Sequence, residues 1–401
     1  MKIGMVLSTQ FPPDIRVEKE ISMLWEEHEL FMLCPRRGKQ VEEEVWNGVR
    51  IRRIFSTPVR WWARWRLMAT CSSLDWKRAI YSYAAENSID VLHIHDLPLL
   101  GVALEVGRQL GIRVVADLHE NYPEMLAELL RSTWSGAITP SQVIQHFTVS
   151  LDRWKRYEER VVPQADEVIV VIEEARDRLV QMGVPPERLH VVANYTPLSD
   201  LSAPQGSPQA VNDHFNVLYA GGFAATRDLY AVMDAVALLS PEEVPNLRVV
   251  MLGGKGAELE FMLRYARDKG VQDRVVLTDW RPMEEVMKQI RRSRVCLVPH
   301  VKSPHTDATI PHKLFQYMAY KRPVIVSNCA PLERIVTETG CGLVYRSGDA
   351  TTLADCLRRL YHDPQACSYM GEAGFRAVRD KYNWEQTGGE LQRLYRQIAV
   401  K

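Results

Sequence analysis

The sequence predicts an α/β protein of two domains, each built on a parallel, doubly wound sheet. Short apolar runs such as KIGMVLS, DVLHIH and EVIVVI alternate with amphipathic segments such as VEKEISMLWEE. This alternation is typical of buried parallel strands that are connected by crossover helices. The periodicity is lost across residues 196–214, which are rich in Pro, Ser, Gln and Asp, and it then restarts. We therefore expect one domain before a linker at 199–214 and a second domain after it.

The same pattern continues along both halves of the chain. The first half adds the strand-like runs HELFMLC, RVVADLH and LHVVAN, and the second half contains NVLYAGG, LRVVMLGG, RVVLTDW, RVCLVPH, RPVIVSN and CGLVYR. The tail from residue 383 is predicted to be helical, with Leu391, Leu394 and Ile398 on its apolar face and a bend at Gly388–Gly389. Ligands of such sheets bind at the carboxyl ends of the strands, so we expect functional residues directly after them.

Composition narrows the class of protein. Lys and Arg number 50, and so do Asp and Glu, so no global field favours nucleic acid as a partner. The seven cysteines form no CxxC pair and no cluster with histidine at metal-ligand spacing, which indicates reduced, structural thiols. No run approaches 18 apolar residues, and MKIGMVLS is too short for a signal peptide. We expect a cytoplasmic protein, at most peripheral on the inner face of a membrane.

Two glycine-containing turns in the second half suit a phosphate. NVLYAGG ends in Gly221–Gly222, which allow close backbone approach, and Arg227 lies just before the next helix. Gly254 and Lys255 follow another strand, but Gly256 replaces the Ser or Thr of a Walker A loop. A plain glycine turn beside a solvated arginine is the alternative.

The stretch VKSPHTDATIPHKLFQYMAY carries more polar groups than a strand-to-helix connection needs. Pro311 suits a first helical turn, which would leave the amides of His312, Lys313 and Leu314 free for an anion. Gln316 shares a helical stripe with His312 and Tyr320, so it could hydrogen-bond whatever carries the phosphate. A capped helix with a polar surface stripe is the alternative.

Two strands of the first half end in histidines. His95 and His119 are each followed by an acid, whereas His93 is expected in the core. A different feature is RWWARWR, in which Trp61, Trp62 and Trp65 alternate with arginines. This composition suits a headgroup interface, and an aromatic patch packed on the domain is the alternative.

Taken in order along the chain, these motifs resemble the retaining glycosyltransferases of sequence family 4. The motifs are FPPDIRVEKE, HIHDLPLL, ADLHENYPE, ADEVIVVIEE, YAGGF, GGKG, HTDATIPHKLFQYMAYKRPVIVSN and YNWE, and PHKLFQYMA is the most specific. The resemblance implies the GT-B fold, with two Rossmann-like domains facing across a cleft (1–198 and 215–383). It implies that the helix 384–401 crosses back to the first domain. It also implies a nucleotide-sugar on the second domain and an acceptor on the first.

The resemblance implies roles for individual residues. Arg227 would contact the donor diphosphate, Gln316 would hold the ribose, and His119 would lie near the transferred sugar. The implied donor-binding set is Gly221, Gly222, Phe223, Gly254, Lys255, Trp280, Arg281, Lys302, Thr309, Ile310, Pro311, His312 and Gln316, and the implied acceptor-side residues are Arg16, His95, Asp96 and Tyr122.

The chain departs from the family pattern at three positions. Ala308 stands where the family has a sugar-binding glutamate, and Asp307 is one residue away. Phe223 replaces an arginine, which removes one phosphate-binding cation. QFPPDIR replaces a glycine-rich loop, so we expect Arg16 to enter the cleft.

We therefore expect a retaining glycosyltransferase that moves a sugar from a nucleoside-diphosphate donor, UDP favoured over GDP, to a hydroxyl of a glycan, lipid-linked or small-molecule acceptor. The chain contains no Asp-x-Asp pair, so Arg227, Lys313 and Lys302 would meet the leaving-group charge without a metal or other cofactor. His119 and Asp307 would orient the sugar. The alternatives are a nucleotide-sugar 2-epimerase and a non-catalytic partner subunit. A dinucleotide-dependent oxidoreductase is disfavoured, because no GxGxxG follows the first strand.

Overall fold

The computed structural model describes residues 1–55, 59–131, 149–202 and 214–400, and it divides the chain into two compact units. The first unit contains Met1–Leu130, the described residues up to Ala193, and the chain from Thr387 onward. The second unit contains Asn194–Gln386. The linker expected at 199–214 lies largely outside the described residues.

The first unit is built on an eight-stranded sheet in the order β3-β4-β2-β1-β5-β6-β7-β8. All pairings are parallel except that of β3 with β4. The strands are β1 (Lys2–Val6), β2 (Glu29–Pro35), β3 (Glu43–Trp46), β4 (Val49–Ile54), β5 (Val91–His95), β6 (Arg113–Leu118), β7 (Glu167–Val170) and β8 (Leu189–Val191). Its helices are α1 (Ile15–Leu24), α2 (Val59–Thr70), α3 (Leu74–Asn87), α4 (Leu100–Leu110), α5 (Tyr122–Arg131), α6 (Leu151–Val161) and α7 (Glu173–Gln181).

The second unit is built on a six-stranded, fully parallel sheet in the order β11-β10-β9-β12-β13-β14. Its strands are β9 (Phe215–Ala220), β10 (Leu247–Gly254), β11 (Val275–Asp279), β12 (Val295–Val298), β13 (Val324–Ser327) and β14 (Gly342–Tyr345). The helices are α8 (Leu229–Leu238), α9 (Gly256–Asp268), α10 (Met283–Arg292), α11 (Lys313–Ala319), α12 (Ala330–Thr339), α13 (Ala350–His362) and α14 (Pro364–Asp380), and α15 (Trp384–Val400) closes the chain.

The two predicted α/β sheets are confirmed, and the burial of the strands explains why their pattern was clear. All five residues of β5 are buried, as are all four of β12 and β13, because helices cover both faces of a parallel sheet. All seven cysteines are free thiols, as expected, and six of them are buried. No helix within the described residues is long and apolar enough to cross a bilayer.

The tail differs from the prediction at its glycines. A single helix, α15, runs through Gly388 and Gly389, and Leu391, Leu394 and Ile398 are buried along it as predicted. Instead of bending the helix, Gly388 allows close packing, since a Cβ there would lie 2.9 Å from the side chain of Met23. Gly388 therefore allows α15 to pack closely against α1.

Candidate active site

A half-buried lysine of the second domain, Lys313, lies at the carboxyl end of β9. Gly221 follows that strand with a φ of +155°, and a Cβ at this position would overlap Nζ of Lys313. The ammonium lies 4.3 Å from the ring centroid of Tyr219. The backbone conformation therefore favours glycine here, and Lys313 lies at the turn where the sequence predicted a phosphate.

An arginine and a histidine are paired at the same sheet edge. Nη1 of Arg227 donates to Nε2 of His300 at 2.8 Å, and the two backbones form an isolated bridge. His300 directly follows the β12 region and is buried. Sequence analysis missed His300, although the run RVCLVPH places a histidine after a strand in the same way as the histidines of the first half.

The charge of this group is not balanced from within the described protein. Burial and the neighbouring Arg227 hold the pKa of Lys313 well below its ordinary value, and burial, Arg227 and Lys313 do the same to the pKa of His300. Among the described residues, no Asp or Glu forms an ion pair with Arg227 or Lys313. Neighbouring cations that are partly withdrawn from solvent and lack a carboxylate partner favour an anionic ligand. We refer to Arg227, His300 and Lys313 as the cation cluster.

The loop before α11 is fixed by Asp307. Its Oδ1 accepts from the backbone amide of Ala330 at 2.7 Å and from Nζ of Lys302 at 3.3 Å. Nζ of Lys302 also donates to the carbonyl of Asn328 at 2.7 Å. These contacts tie the loop to the start of α12. The proposed contacts of Asp307 with a sugar and of Lys302 with a phosphate stay predictions.

Two expectations about the α11 segment were wrong. The amide of Leu314 is not free for an anion, since it donates to the carbonyl of Pro311 at 3.1 Å. Tyr320 is buried, with its hydroxyl 3.0 Å from Sδ of Met287, because α11 ends at Ala319 and the stripe does not continue along a surface helix. Ile310 is buried, and Thr309, Pro311, His312 and Gln316 are half-buried.

The remaining donor-side residues fall into two groups. Phe223 is fully buried in the hydrophobic core of the second domain, and a Cβ at Gly254 would lie 2.8 Å from its ring. The aromatic ring therefore faces the core, and a donor contact of Phe223 through its backbone stays a prediction. Lys255, Trp280 and Arg281 are exposed, and their contact with a donor stays a prediction, as does that of Gly222.

The first domain contains a buried cluster of histidines and carboxylates at the ends of β5 and β6. His95 and Asp117 are direct partners in the sheet register, and Nδ1 of His95 lies 3.2 Å from Oδ2 of Asp117. The same oxygen lies 2.7 Å from Nε2 of His119. The two histidines that the sequence singled out are thus brought together by an aspartate that it did not single out.

Arg16 lies inside this cluster and not at an open surface as expected. Asp14 caps α1 by accepting from the amides of Arg16 and Val17, and the helix turns the Arg16 side chain inward. Nη2 of Arg16 donates to Oδ1 of Asp117 at 2.6 Å, and Nη1 donates to the carbonyl of Val192 at 2.9 Å. The prediction that Arg16 enters a cleft was wrong, because the buried Asp117 needs a cationic partner.

Charge neighbours set the protonation of His119. Although burial favours the neutral ring, Asp96 and Asp117 raise the pKa of His119 to about 9. Burial works against ionisation of Asp117, yet Arg16 and His119 hold the pKa of this carboxyl well below its usual value. Burial and His93 lower the pKa of His95 to about 3. At neutral pH the cluster therefore contains a charged His119 beside a neutral His95.

His93 and Glu20 complete the cluster from behind. His93 is fully buried, as predicted, and its Nδ1 lies 2.6 Å from the hydroxyl of Tyr395 on α15. Burial and Asp117 raise the pKa of Glu20 to about 8. Glu20, His93, His95 and Asp117 bring one possible ligand atom each within 4.8 Å of one another. Arg16 contacts both carboxylates, so we assign the group to an ion-pair network and not to a metal site.

The other first-domain candidates lie nearby or on a separate helix. Oδ1 of Asp96 accepts from the amide of His119 at 3.4 Å, and the hydroxyl of Tyr122 contacts Sδ of Met68 at 3.4 Å. Trp62 and Trp65 on α2 are exposed, with ring centroids 5.8 Å apart. The side chain of Trp61 lies outside the described residues. Acceptor contact by these residues stays a prediction.

Two protein-family models match the chain, one in each half. The family model "Glycosyltransferase Family 4" matches residues 23–199, and the model "Glycosyl transferases group 1" matches residues 206–377. An alpha-D-kanosaminyltransferase of Streptomyces kanamyceticus is 22% identical over 74% of this chain and 73% of its own length. A D-inositol 3-phosphate glycosyltransferase of Corynebacterium efficiens is 27% identical over 61% of this chain and 59% of its own length, which is less than two thirds.

Solved structures agree at the level of the fold. Sucrose-phosphate synthase from Thermosynechococcus elongatus superposes with a TM-score of 0.77 at 18% identity, covering 100% of this chain and 99% of that one. HepE from Anabaena in complex with UDP-glucose superposes with a TM-score of 0.68 at 14% identity, covering 99% and 100%. The two family models, one in each half of the chain, define a sugar-transfer enzyme. The chain belongs to the family-4 glycosyltransferases, and the prediction of a nucleotide-sugar-dependent glycosyltransferase is confirmed at that level.

Proposed function

We propose that the protein is a retaining glycosyltransferase that uses a UDP-sugar and needs no metal. The observation that carries this proposal is the cation cluster, in which Arg227 and Lys313 lie half-buried at one sheet edge without a carboxylate partner among the described residues. A diphosphate supplies the negative charge that the cluster lacks. The fold shared with a UDP-glucose complex supports uridine as the base.

The cation cluster would act mainly on the leaving group. As the bond between the anomeric carbon and the donor phosphate breaks, negative charge grows on the diphosphate, and Arg227 and Lys313 stabilise it. The acceptor hydroxyl forms the new bond on the same face of the sugar. Its proton passes to the departing phosphate oxygen, so no protein nucleophile is needed. His119 would hold a hydroxyl of the transferred sugar.

The acceptor is proposed to be a hydroxyl of a glycan or of a lipid-linked sugar. The exposed Trp62 and Trp65 beside Arg66 support contact with an anionic headgroup surface. Replacing both tryptophans with serine should reduce co-flotation with anionic vesicles and leave UDP affinity unchanged. Absence of wild-type protein from the vesicle fraction would instead assign the pair to acceptor binding or packing.

The donor assignment is tested with a panel of UDP-, GDP- and ADP-sugars. Melting shifts identify the bound donor, and hydrolysis and transfer are then measured in excess chelator, where activity should persist. Conversion of the sugar without acceptor would identify an epimerase, and binding without turnover would identify a partner subunit.

Arg227→Ala should weaken donor binding by about 1.5–3 kcal/mol, because it removes a charge-assisted contact. The matched control is Arg267→Ala, which removes an exposed arginine from the same domain. Wild-type donor affinity and rate in Arg227→Ala would contradict the phosphate assignment.

A further inference from the structure

Asp117 occupies a central place in the buried cluster of the first domain. This carboxylate is fully buried, and its two oxygens are used differently. Oδ1 accepts from Nη2 of Arg16 at 2.6 Å. Oδ2 faces three imidazoles, at 2.7 Å from Nε2 of His119, 3.2 Å from Nδ1 of His95 and 3.6 Å from Nε2 of His93. Only the His119 contact has the length of a charge-assisted hydrogen bond.

We propose that Asp117 is a positioning residue that fixes the ring of His119 as a hydrogen-bonded imidazolium, and that Arg16 keeps Asp117 ionised for this task. The proposal rests on the proposed function, in which His119 contacts the transferred sugar. Under this proposal the buried Asp117 orients His119, whose own side chain is 20% exposed.

Hydrogen bonding to Asp117 leaves one edge of His119 for a substrate. Nε2–H is committed to Oδ2 of Asp117, so the other ring nitrogen, Nδ1, must serve the sugar. Nδ1 lies 3.6 Å from Oδ1 of Asp96, which is too long for a full hydrogen bond. In the imidazolium, Nδ1 carries a proton and can donate to a hydroxyl oxygen. A neutral ring with its proton on Nε2 could only accept there.

Every charged group near His119 bears on this protonated state. Asp96 follows β5, Asp117 lies on β6, and Glu120 is the next residue in the chain. His95 of β5 faces the ring at 3.3 Å. Behind Asp117 lie Arg16 and Glu20 of α1, His93 of β5 and, through His93, Tyr395 of α15. Since the pKa of His119 is raised, the imidazolium is present at neutral pH and is lost as pH rises through about 9.

The test combines a titration with a rate profile on the full chain. The ring protons of His119 are followed by NMR in histidine-labelled protein, and kcat and KM are measured against pH with a UDP-sugar donor. Asp117→Asn should lower the pKa of His119 by at least about one unit, toward the ordinary value near 6.5. The alkaline limb of kcat should move down with it, and kcat at neutral pH should fall on the order of 10- to 100-fold.

Two further variants make the test specific. Glu167→Gln removes the carboxylate that lies 2.9 Å from His190 in the same sheet, so it should leave the pKa of His119 and the rate unchanged. Asp117→Glu keeps the charge but shifts the oxygens by one methylene. It should hold the pKa of His119 above about 8 and still lower kcat, because the ring is displaced. If Asp117→Asn does not fold, Asp117→Glu and the wild-type titration decide.

Several results would overturn the proposal. The first is that His119 of the wild-type protein titrates at or below about 6.5. The second is that kcat of Asp117→Asn falls equally at every pH, and the third is that kcat of Asp117→Glu is unchanged. A stoichiometric metal ion bound by Asp117 in the purified protein would also overturn it. If wild-type protein transfers no sugar from any donor, the proposed function fails, while the NMR titration still reports on Asp117 and His119.

Discussion

Replacing Lys313 with methionine should change stability and donor binding in opposite directions. The half-buried ammonium lies near Arg227 without a carboxylate partner among the described residues, and desolvation together with Arg227 holds the pKa of Lys313 well below the ordinary value. Folding therefore opposes its charge, and a neutral side chain of similar length removes that cost. The contact of Nζ with the Tyr219 ring, worth about 0.5–2 kcal/mol, is largely replaced, because a methionine sulfur on an aromatic ring contributes about 0.3–1.5 kcal/mol.

We expect Lys313→Met to stabilise the ligand-free protein by about 0.5–2 kcal/mol, the range typical of relieving strain at a functional site. For a domain of this size each kcal/mol raises Tm by about 2–4 °C. The same variant should weaken UDP binding by about 1.5–3 kcal/mol, since it deletes a charged hydrogen bond to phosphate. This corresponds to roughly 10- to 150-fold in Kd.

Thermal melting without ligand and calorimetric titration with UDP measure the two effects on the same samples. Lys288→Met is the matched control, because Lys288 is half exposed and lies 3.8 Å from Glu285. It should change neither Tm nor Kd appreciably. A Lys313→Met protein with lower Tm and unchanged UDP affinity would refute the reasoning and make Lys313 a structural residue.

Two further predictions concern the same site. UDP binding should take up a proton, because the diphosphate raises the pKa of Lys313 from its lowered value. Calorimetry in buffers of different ionisation enthalpy should show this uptake, and the affinity for UDP should fall as pH rises. Equal heats in all buffers would contradict the prediction. Gln316→Leu should raise donor KM by a factor that corresponds to about 1–3 kcal/mol, with little change in kcat. Gln316→Glu should be tolerated. A lowered Tm with unchanged donor KM would make Gln316 structural.

The fold was largely predictable because strands buried on both faces appear as continuous apolar runs. The hairpin of β3 and β4 was not predicted, since its strands EEVW and VRIRRI carry charges on an exposed side. Its signal was nevertheless present. Asn47 and Gly48 lie between the two strands with φ values of +46° and +83°, and Asn-Gly between alternating residues is a strong hairpin signal.

The candidate site was predictable only where a residue follows a strand along the chain. Arg227 and His119 were singled out in this way, and Lys313 was singled out because it begins a helix after Pro311. Asp117 was missed because it lies within β6, and its function depends on sheet register, which places it opposite His95. The burial of the Phe223 ring was not predicted for a related reason: position in a motif does not show whether an aromatic ring faces the ligand or the core.

The two clusters differ in whether their charges are balanced by neighbouring side chains. In the first domain, Arg16 and His119 face Asp117, so cations and anion stabilise one another, and the pKa of His119 rises. In the second domain, Arg227 and Lys313 have no described carboxylate partner, and desolvation together with the neighbouring Arg227 lowers the pKa of Lys313. A balanced network is formed with no ligand present and suits a group that must keep a fixed orientation. An unbalanced one would be completed by an anion, and under the proposed function this stabilisation would become binding energy for the donor.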